Sequence, residues 1–247
     1  MRTAENTSGS TRPDPASVAV DWSRVDTVLL DMDGTLLDLR YDSVFWQEYL
    51  PARYAEHHDV DLDSADALLR ELMASSRLRL DYYCFDWWSA RTGLDITAMK
   101  PELAHLIAWR RDAEAFLADL RAAKLRAVIV TNAHPAGYAL KHTVTGLGDL
   151  VDAVETAHDH DHPKEDQQFW SRVQAELGFD PARCLFVDDN QDVLAAAERF
   201  GIAQLRAVRT PDSGRPALAD GPWPAIDRFA ELGLPIGTDA RDPGAGS

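Results

Sequence analysis

Four groups of polar residues have the types and spacing to handle a phosphoryl group, and each follows a short apolar run. Asp31-Met32-Asp33-Gly34-Thr35 follows Val25 to Leu30, and Thr131-Asn132 follows Ala127 to Val130. Asp188-Asp189-Asn190-Gln191-Asp192 follows Cys184 to Val187, and Lys164 lies a loop beyond the weaker run Leu150 to Val154. Asp31 and Asp33 are two positions apart, a spacing that turns both carboxylates to one side of an extended chain. Two carboxylates that close repel each other unless a cation joins them. With Asp188 they form a set of hard oxygen ligands suited to Mg²⁺. An anionic nucleophile attacking an anionic phosphoryl group needs that charge offset, and Lys164 and the Thr131 hydroxyl are suited to hold the phosphoryl oxygens. One carboxylate can then attack to form an aspartyl-phosphate. The other can protonate the leaving oxygen and later activate water.

For these groups to meet, the runs that precede them must be neighbouring strands. Continuous apolar character suits strands buried on both faces, as in a parallel sheet, and Ile202 to Val208 supplies another such run. Helical periodicity lies between them: Ala113, Phe116, Leu117 and Leu120; then Phe169, Val173 and Leu177; then Val193, Leu194, Ala197 and Phe200, with Gly201 as the stop. Alternating strands and helices give an α/β fold, and in open parallel sheets ligands sit at the carboxyl ends of the strands. One interval breaks the alternation. About 95 residues separate Asp31 from the next clear strand at Arg126, far more than a crossover helix needs. Ala65, Leu68, Leu69, Leu72 and Met73 mark this interval as helical, so a helical insertion after the first strand is expected. It holds eleven aromatics, among them Trp46, Trp87 and Trp88.

Composition narrows the partners. Lys and Arg number 25 against 41 Asp and Glu, a formal net charge of −16. Such a chain repels a nucleic-acid backbone, whereas a small anion remains acceptable where a cation reverses the local charge. No apolar run approaches the ~20 residues of a membrane span. Cys84 and Cys184 are two isolated thiols, and the first residues hold no apolar stretch. The expectation is a cytoplasmic protein acting on a small phosphorylated metabolite, without nucleic acid or membrane. Residues 1–20 are read as a disordered tail and 235–247 as a flexible one.

At the polar groups the chain resembles the haloacid dehalogenase (HAD) superfamily. Asp31-Met32-Asp33-Gly34-Thr35 looks like its first motif, Val128-Ile129-Val130-Thr131-Asn132 its second, Lys164 its third, and Phe186-Val187-Asp188-Asp189-Asn190 its fourth. The longer strings Thr131 to Pro135 and His162 to Gln167 resemble a bacterial branch of GMP/IMP nucleotidases. The resemblance implies a Rossmann-like parallel sheet core (residues 21–40 and 111–234) and an α-helical cap inserted after the first strand (residues 41–110). It implies Asp31 as nucleophile and Asp33 as general acid/base, lending its backbone carbonyl to Mg²⁺. Thr131, Asn132 and Lys164 would bind the substrate phosphoryl group, and Asp188 would join Asp31 and Asp33 as a metal ligand. Asp189 and Asp192 are equally placed to support the metal. The implied activity is hydrolysis of a phosphomonoester, with a purine nucleoside 5′-monophosphate preferred. A sugar phosphate or phosphoglycolate, phosphoryl return to substrate as in a mutase, or a non-catalytic binding protein are the alternatives.

Three further features have a structural reading beside a functional one, substrate contact in the case of His134. His158-Asp159-His160-Asp161-His162 alternates ligand types but lacks a zinc-type partner motif, so a solvated loop is expected. His134-Pro135 suits a helix start. Arg110-Arg111 is equally a phosphate clamp or a solvated pair.

Overall fold

The computed structural model describes residues 18–235. The expectations for the two tails therefore lie outside the described residues, apart from residues 18–20 and 235. Six parallel strands form one sheet: β1 (Thr27–Leu30), β2 (Arg126–Thr131), β3 (Ala153–Thr156), β4 (Cys184–Asp188), β5 (Gln204–Val208) and β6 (Ala225–Ile226). Their order is β3-β2-β1-β4-β5-β6, the doubly wound arrangement in which the chain reverses direction beside β1. The sheet confirms the expected α/β, Rossmann-like class. The weak run Leu150 to Val154 enters the sheet two to three residues later than its apolar character suggests; just ahead of β3, Asp152 N–H donates to the Ala127 carbonyl and its carboxylate accepts the Ala127 N–H. The two-residue β6 is too short to leave a periodic signal.

Side chains alternate between the two faces of the sheet. Val28, Leu30, Ile129, Leu185 and Val187 pack with Phe116, Leu117 and Leu120 of helix α6 (Ala113–Ala122). Leu29, Val128, Val130 and Phe186 pack with Phe169, Trp170 and Val173 of α8 (Gln167–Leu177) and with Val193 and Leu194 of α9 (Gln191–Phe200). Gly201 ends α9 at a φ of +103°, in the left-handed region glycine adopts without penalty.

Between β1 and α6 the chain is helical. α1 (Arg40–Val44) passes through a π-helical stretch at Phe45–Tyr49 into α2 (Leu50–His58). α3 (Leu62–Ser76), α4 (Phe85–Thr92) and α5 (Ile96–Met99) come next. These helices bury a core of their own, centred on Phe45, Leu50, Leu69, Phe85, Trp88 and Ile96. Arg110, at the return to the sheet, is neither clamp nor solvated. It is buried and donates to the carbonyls of Thr35, Thr210 and Asp227, pinning the connection.

Candidate active site

The register of the sheet puts the polar groups together. Leu30 pairs with Ile129 on one side and Val187 on the other, so Asp31, Thr131 and Asp188 emerge side by side at the carboxyl edge. Lys164 arrives from the loop before α8. Its backbone N–H donates to Asn132 Oδ1 at 2.8 Å, and its carbonyl accepts from the Trp170 indole at 2.7 Å. Its ammonium reaches Asp31 Oδ1 at 2.5 Å, Asp188 Oδ2 at 2.7 Å and the Val130 carbonyl at 3.1 Å. The side chain is 2% exposed. Burial alone would lower the Lys164 pKa, but Asp188 and Asp31 outweigh it and hold the ammonium above its ordinary value.

Asp31 and Asp33 do not share one side of a strand, as their spacing suggested. β1 ends at Leu30, and the chain turns through Gly34 at φ +90°, with Gly34 N–H donating to the Leu37 carbonyl. The two carboxylates therefore take different partners. Asp33 Oδ1 lies 2.6 Å from Lys141 Nζ on α7 (Pro135–Thr145). Lys141 also pairs with Asp42 Oδ2 on α1 at 2.7 Å, and Asp42 Oδ1 pairs with Lys100 Nζ at 2.7 Å. Two acids and two bases balance there. Burial pushes Asp33 up to about 6 against the pull of Lys141, while the two ammonium groups hold Asp42 below the usual carboxylate range.

The Asp31 group does not balance. Carboxylate oxygens of Asp31, Asp188 and Asp189 lie within 4.8 Å of one another, with one ammonium between three acids. Burial, then the Asp188 charge, push Asp31 up to about 6 despite Lys164, and burial with both neighbouring carboxylates raises Asp189 well above its ordinary value. Asp31 Oδ2 is buried with no hydrogen-bond partner among the described residues. A buried, unpartnered carboxylate oxygen in a net-negative cluster fits a divalent cation with hard oxygen ligands. Of the two supporting acids left open by the sequence, Asp189 faces this cluster, whereas Asp192 is on the surface, paired with Arg77 at 2.7 Å. The Asp33 carboxylate lies outside the trio.

Thr131 is buried, its hydroxyl accepting from Ala133 N–H at 3.0 Å. Asn132 ties the Lys164 loop down and donates to Glu165 Oε2 at 3.0 Å; Glu165 accepts in turn from the Tyr83 hydroxyl of the inserted helices at 2.8 Å. All six expected residues border one cavity of about 310 Å³, roofed by Trp46, Tyr82, Tyr83, Phe85 and Trp88. Trp87 is outside it, packed on Trp88 with Arg91 over its ring.

Two arrangements escaped sequence reasoning. The first joins Asp42 to Lys100 and Lys141, which are 58 and 99 positions away along the chain. The available signal was scarcity: the chain has only four lysines, and three of them are buried. The second is the His158–His162 segment, which is solvated only in part: Asp159 and Asp161 are exposed, but the histidines pack inward. His160 is buried against Glu155 at 2.8 Å, and His158 meets the His134 ring edge-on at 4.9 Å. His134 caps α7 as expected, its Nδ1 accepting from Ala136 N–H at 3.2 Å.

Known proteins resemble this chain over most of its length. Residues 25–201 match the family model of haloacid dehalogenase-like hydrolases. The chain is 40% identical over 197 residues to the GMP/IMP nucleotidase YrfG of Escherichia coli strain K12, an overlap covering 80% of this chain and 89% of that protein. A HAD phosphatase from Thermococcus onnurineus superposes with a TM-score of 0.70 at 21% identity, covering 84% of this chain and 96% of that one. An L-2-haloacid dehalogenase from Xanthobacter autotrophicus gives 0.54 at 22% identity, covering 75% and 78%.

Proposed function

The chain belongs to the haloacid dehalogenase-like hydrolases, and from that premise we propose that it is a Mg²⁺-dependent phosphatase of purine nucleoside 5′-monophosphates. The observation that carries the reading is the unbalanced cluster of Asp31, Asp188, Asp189 and Lys164 beneath an aromatic-roofed cavity. Asp31 and Asp188, with the Asp33 backbone carbonyl and support from Asp189, would hold Mg²⁺, which when bound would supply charge neutralisation at the phosphoryl oxygens.

Asp31 attacks the phosphorus, the bond from phosphorus to the ester oxygen breaks, and an aspartyl-phosphate forms on Asp31. Asp33 gives its proton to the departing ester oxygen. The Asp33 carboxylate then takes a proton from water, whose oxygen attacks the phosphorus and releases inorganic phosphate and free Asp31. Lys164 and Thr131 hold the phosphoryl oxygens through both steps. Lys164 is pre-set for this by its two carboxylate partners, so little reorganisation is needed as charge develops.

The inserted helices, residues 41–110 in this reading, serve as the cap. Tyr83 with Glu165 and Lys141 with Asp42 bind them to the core around the cavity mouth and exclude water from the phosphoryl site. The core residues contact only the phosphoryl group, so substrate choice falls to the roof. A purine offers a π-face to Trp46 or Phe85, and base–aromatic stacking is worth about 1–3 kcal/mol. The 40% identity to a GMP/IMP nucleotidase supports the same substrate class.

A panel of phosphomonoesters assayed with Mg²⁺ tests the proposal. GMP or IMP should exceed glucose 6-phosphate and phosphoglycolate by at least about tenfold in kcat/KM, equivalent to ~1.4 kcal/mol. Trp46→Leu should narrow that gap. Equal rates across the panel would remove the nucleotide preference, and no turnover of any member would remove the phosphatase.

A further inference from the structure

A second constellation of metal-binding side chains lies apart from the carboxylates. A sulfur or nitrogen atom from each of Cys84, His134 and His158 lies within 4.8 Å of the others. They come from three places in the chain. Cys84 is the N-cap of α4 in the inserted helices, His134 the N-cap of α7, and His158 sits in the turn after β3. Phe85 stacks on the His134 ring at 4.6 Å, and His158 meets that ring edge-on, which fixes the two imidazoles relative to each other.

The second observation is the state of His158. Both of its ring nitrogens are buried, and neither has a hydrogen-bond partner among the described residues. A buried imidazole with both nitrogens unmatched forfeits its hydration without compensation, and such groups call for an explanation such as an ion. No neighbouring carboxylate or carbonyl among the described residues supplies a partner, in contrast to His160, which has Glu155.

We propose that Cys84, His134 and His158 form a binding site for a borderline-soft divalent cation of the zinc class, tying the inserted helices to the core beside the cavity. One thiolate and two imidazoles are a donor set zinc favours and Mg²⁺ does not. In a tetrahedral site with bonds of about 2.0–2.3 Å the donors stand roughly 3.3–3.8 Å apart, so small side-chain rotations close the present spacing. Asp86, exposed and 4.0 Å from His134 Nε2, stands outside the trio, and water completes the set. Binding releases the Cys84 thiol proton to solvent. Ligation by His134 Nε2 puts that ring's proton on Nδ1, exchanging the 3.2 Å cap bond from Ala136 N–H for the metal bond. Cys84 belongs to the inserted helices and both histidines to the core, so an occupied site joins the two across the cavity rim.

The test uses the full chain with saturating Mg²⁺, which keeps the carboxylate cluster filled. Adding Co²⁺ as a zinc surrogate should produce intense tetrahedral bands and a thiolate-to-cobalt charge-transfer absorption. An all-oxygen octahedral site gives neither. Cys84→Ser should abolish the charge-transfer band, and His158→Gln should weaken or abolish the tetrahedral bands. In the unsubstituted protein, Zn²⁺ should slow alkylation of Cys84 by iodoacetamide at least about tenfold, reversed by a chelator. This second measurement stands even where a variant folds poorly. Absence of the charge-transfer band, its persistence in Cys84→Ser, or an unchanged alkylation rate would overturn the proposal. None of these readouts depends on phosphatase activity.

Discussion

Lys164 is held by opposed demands. It is buried deeply enough to lose its hydration, and it stays charged because Asp31 and Asp188 are 2.5 and 2.7 Å away. In the proposed reaction that ammonium is the cation for the phosphoryl oxygens, and the arrangement leaves Asp31 Oδ2 without a hydrogen-bond partner among the described residues. Asp31→Asn is nearly isosteric and removes the charge of the proposed nucleophile. It should cut turnover by about 10⁴-fold or more, as removal of a catalytic nucleophile does, with the melting temperature kept. Steady-state assay and calorimetry on the one variant check both halves. Saturating Mg²⁺ should also raise the melting temperature of the chelated protein, by the mass-action stabilisation of about 2.7 kcal/mol at a hundredfold excess over Kd. A melting temperature indifferent to Mg²⁺ would count against the cluster as a metal site.

Among elements, the turn after β1 and the charged bridge to α1 set the geometry. Gly34 has no room for a side chain, since a Cβ there would lie 2.6 Å from Asp189 Oδ2, and its φ of +90° disfavours other residues. Gly34→Ala should therefore displace Asp189. Its expected signature is a weaker apparent Mg²⁺ affinity in activity titrations, with substantial folding retained. Asp42 is the hub of the other device, joining Lys100 of the inserted helices to Lys141 of α7. Asp42→Asn strands buried ammonium groups, a change that costs about 3–5 kcal/mol when one partner of a buried pair is removed. Lys141 retains Asp33, so the lower end is expected, read as a fall in the urea midpoint with unchanged slope.

Over the whole molecule, burial of weak acids shapes the alkaline limit of stability. The Cys184 thiol, buried at the start of β4, is pushed up to about 12 from an ordinary 9.0, chiefly by burial. Burial likewise raises Tyr41, Tyr82 and Tyr83 above their ordinary 10.0. In each case the folded state holds its proton longer than the unfolded chain. The stabilisation is thus complete below pH 9 and lost as the pH rises from 9 toward 12. Urea midpoints should fall as the pH rises from 9 toward 12, and Cys184→Ala should flatten part of that fall. A midpoint rising over this range would contradict the assignment.

The α/β class and the acids, hydroxyl and lysine at the strand ends were legible in the chain because they are local: an apolar run makes a buried strand, and the polar residues just after it stand at the rim. Strand order came from the register, which seats β1 between β2 and β4 and so brings Asp31 between Thr131 and Asp188. The end of β1 at Leu30 parted Asp31 from Asp33, and the choice of Asp189 over Asp192 depended on which carboxylate the α9 N-terminus turns inward. The scarce lysines and the His158–His162 string stood out singly, but the pairing of Asp42 with Lys141, and of Cys84 with His134 and His158, left no pattern along the chain. Periodicity records which face of its own element a residue occupies, whereas these partners sit on different elements, 99 positions apart in the case of Asp42 and Lys141. Only packing of the inserted helices on the sheet brings their charges and lone pairs within reach.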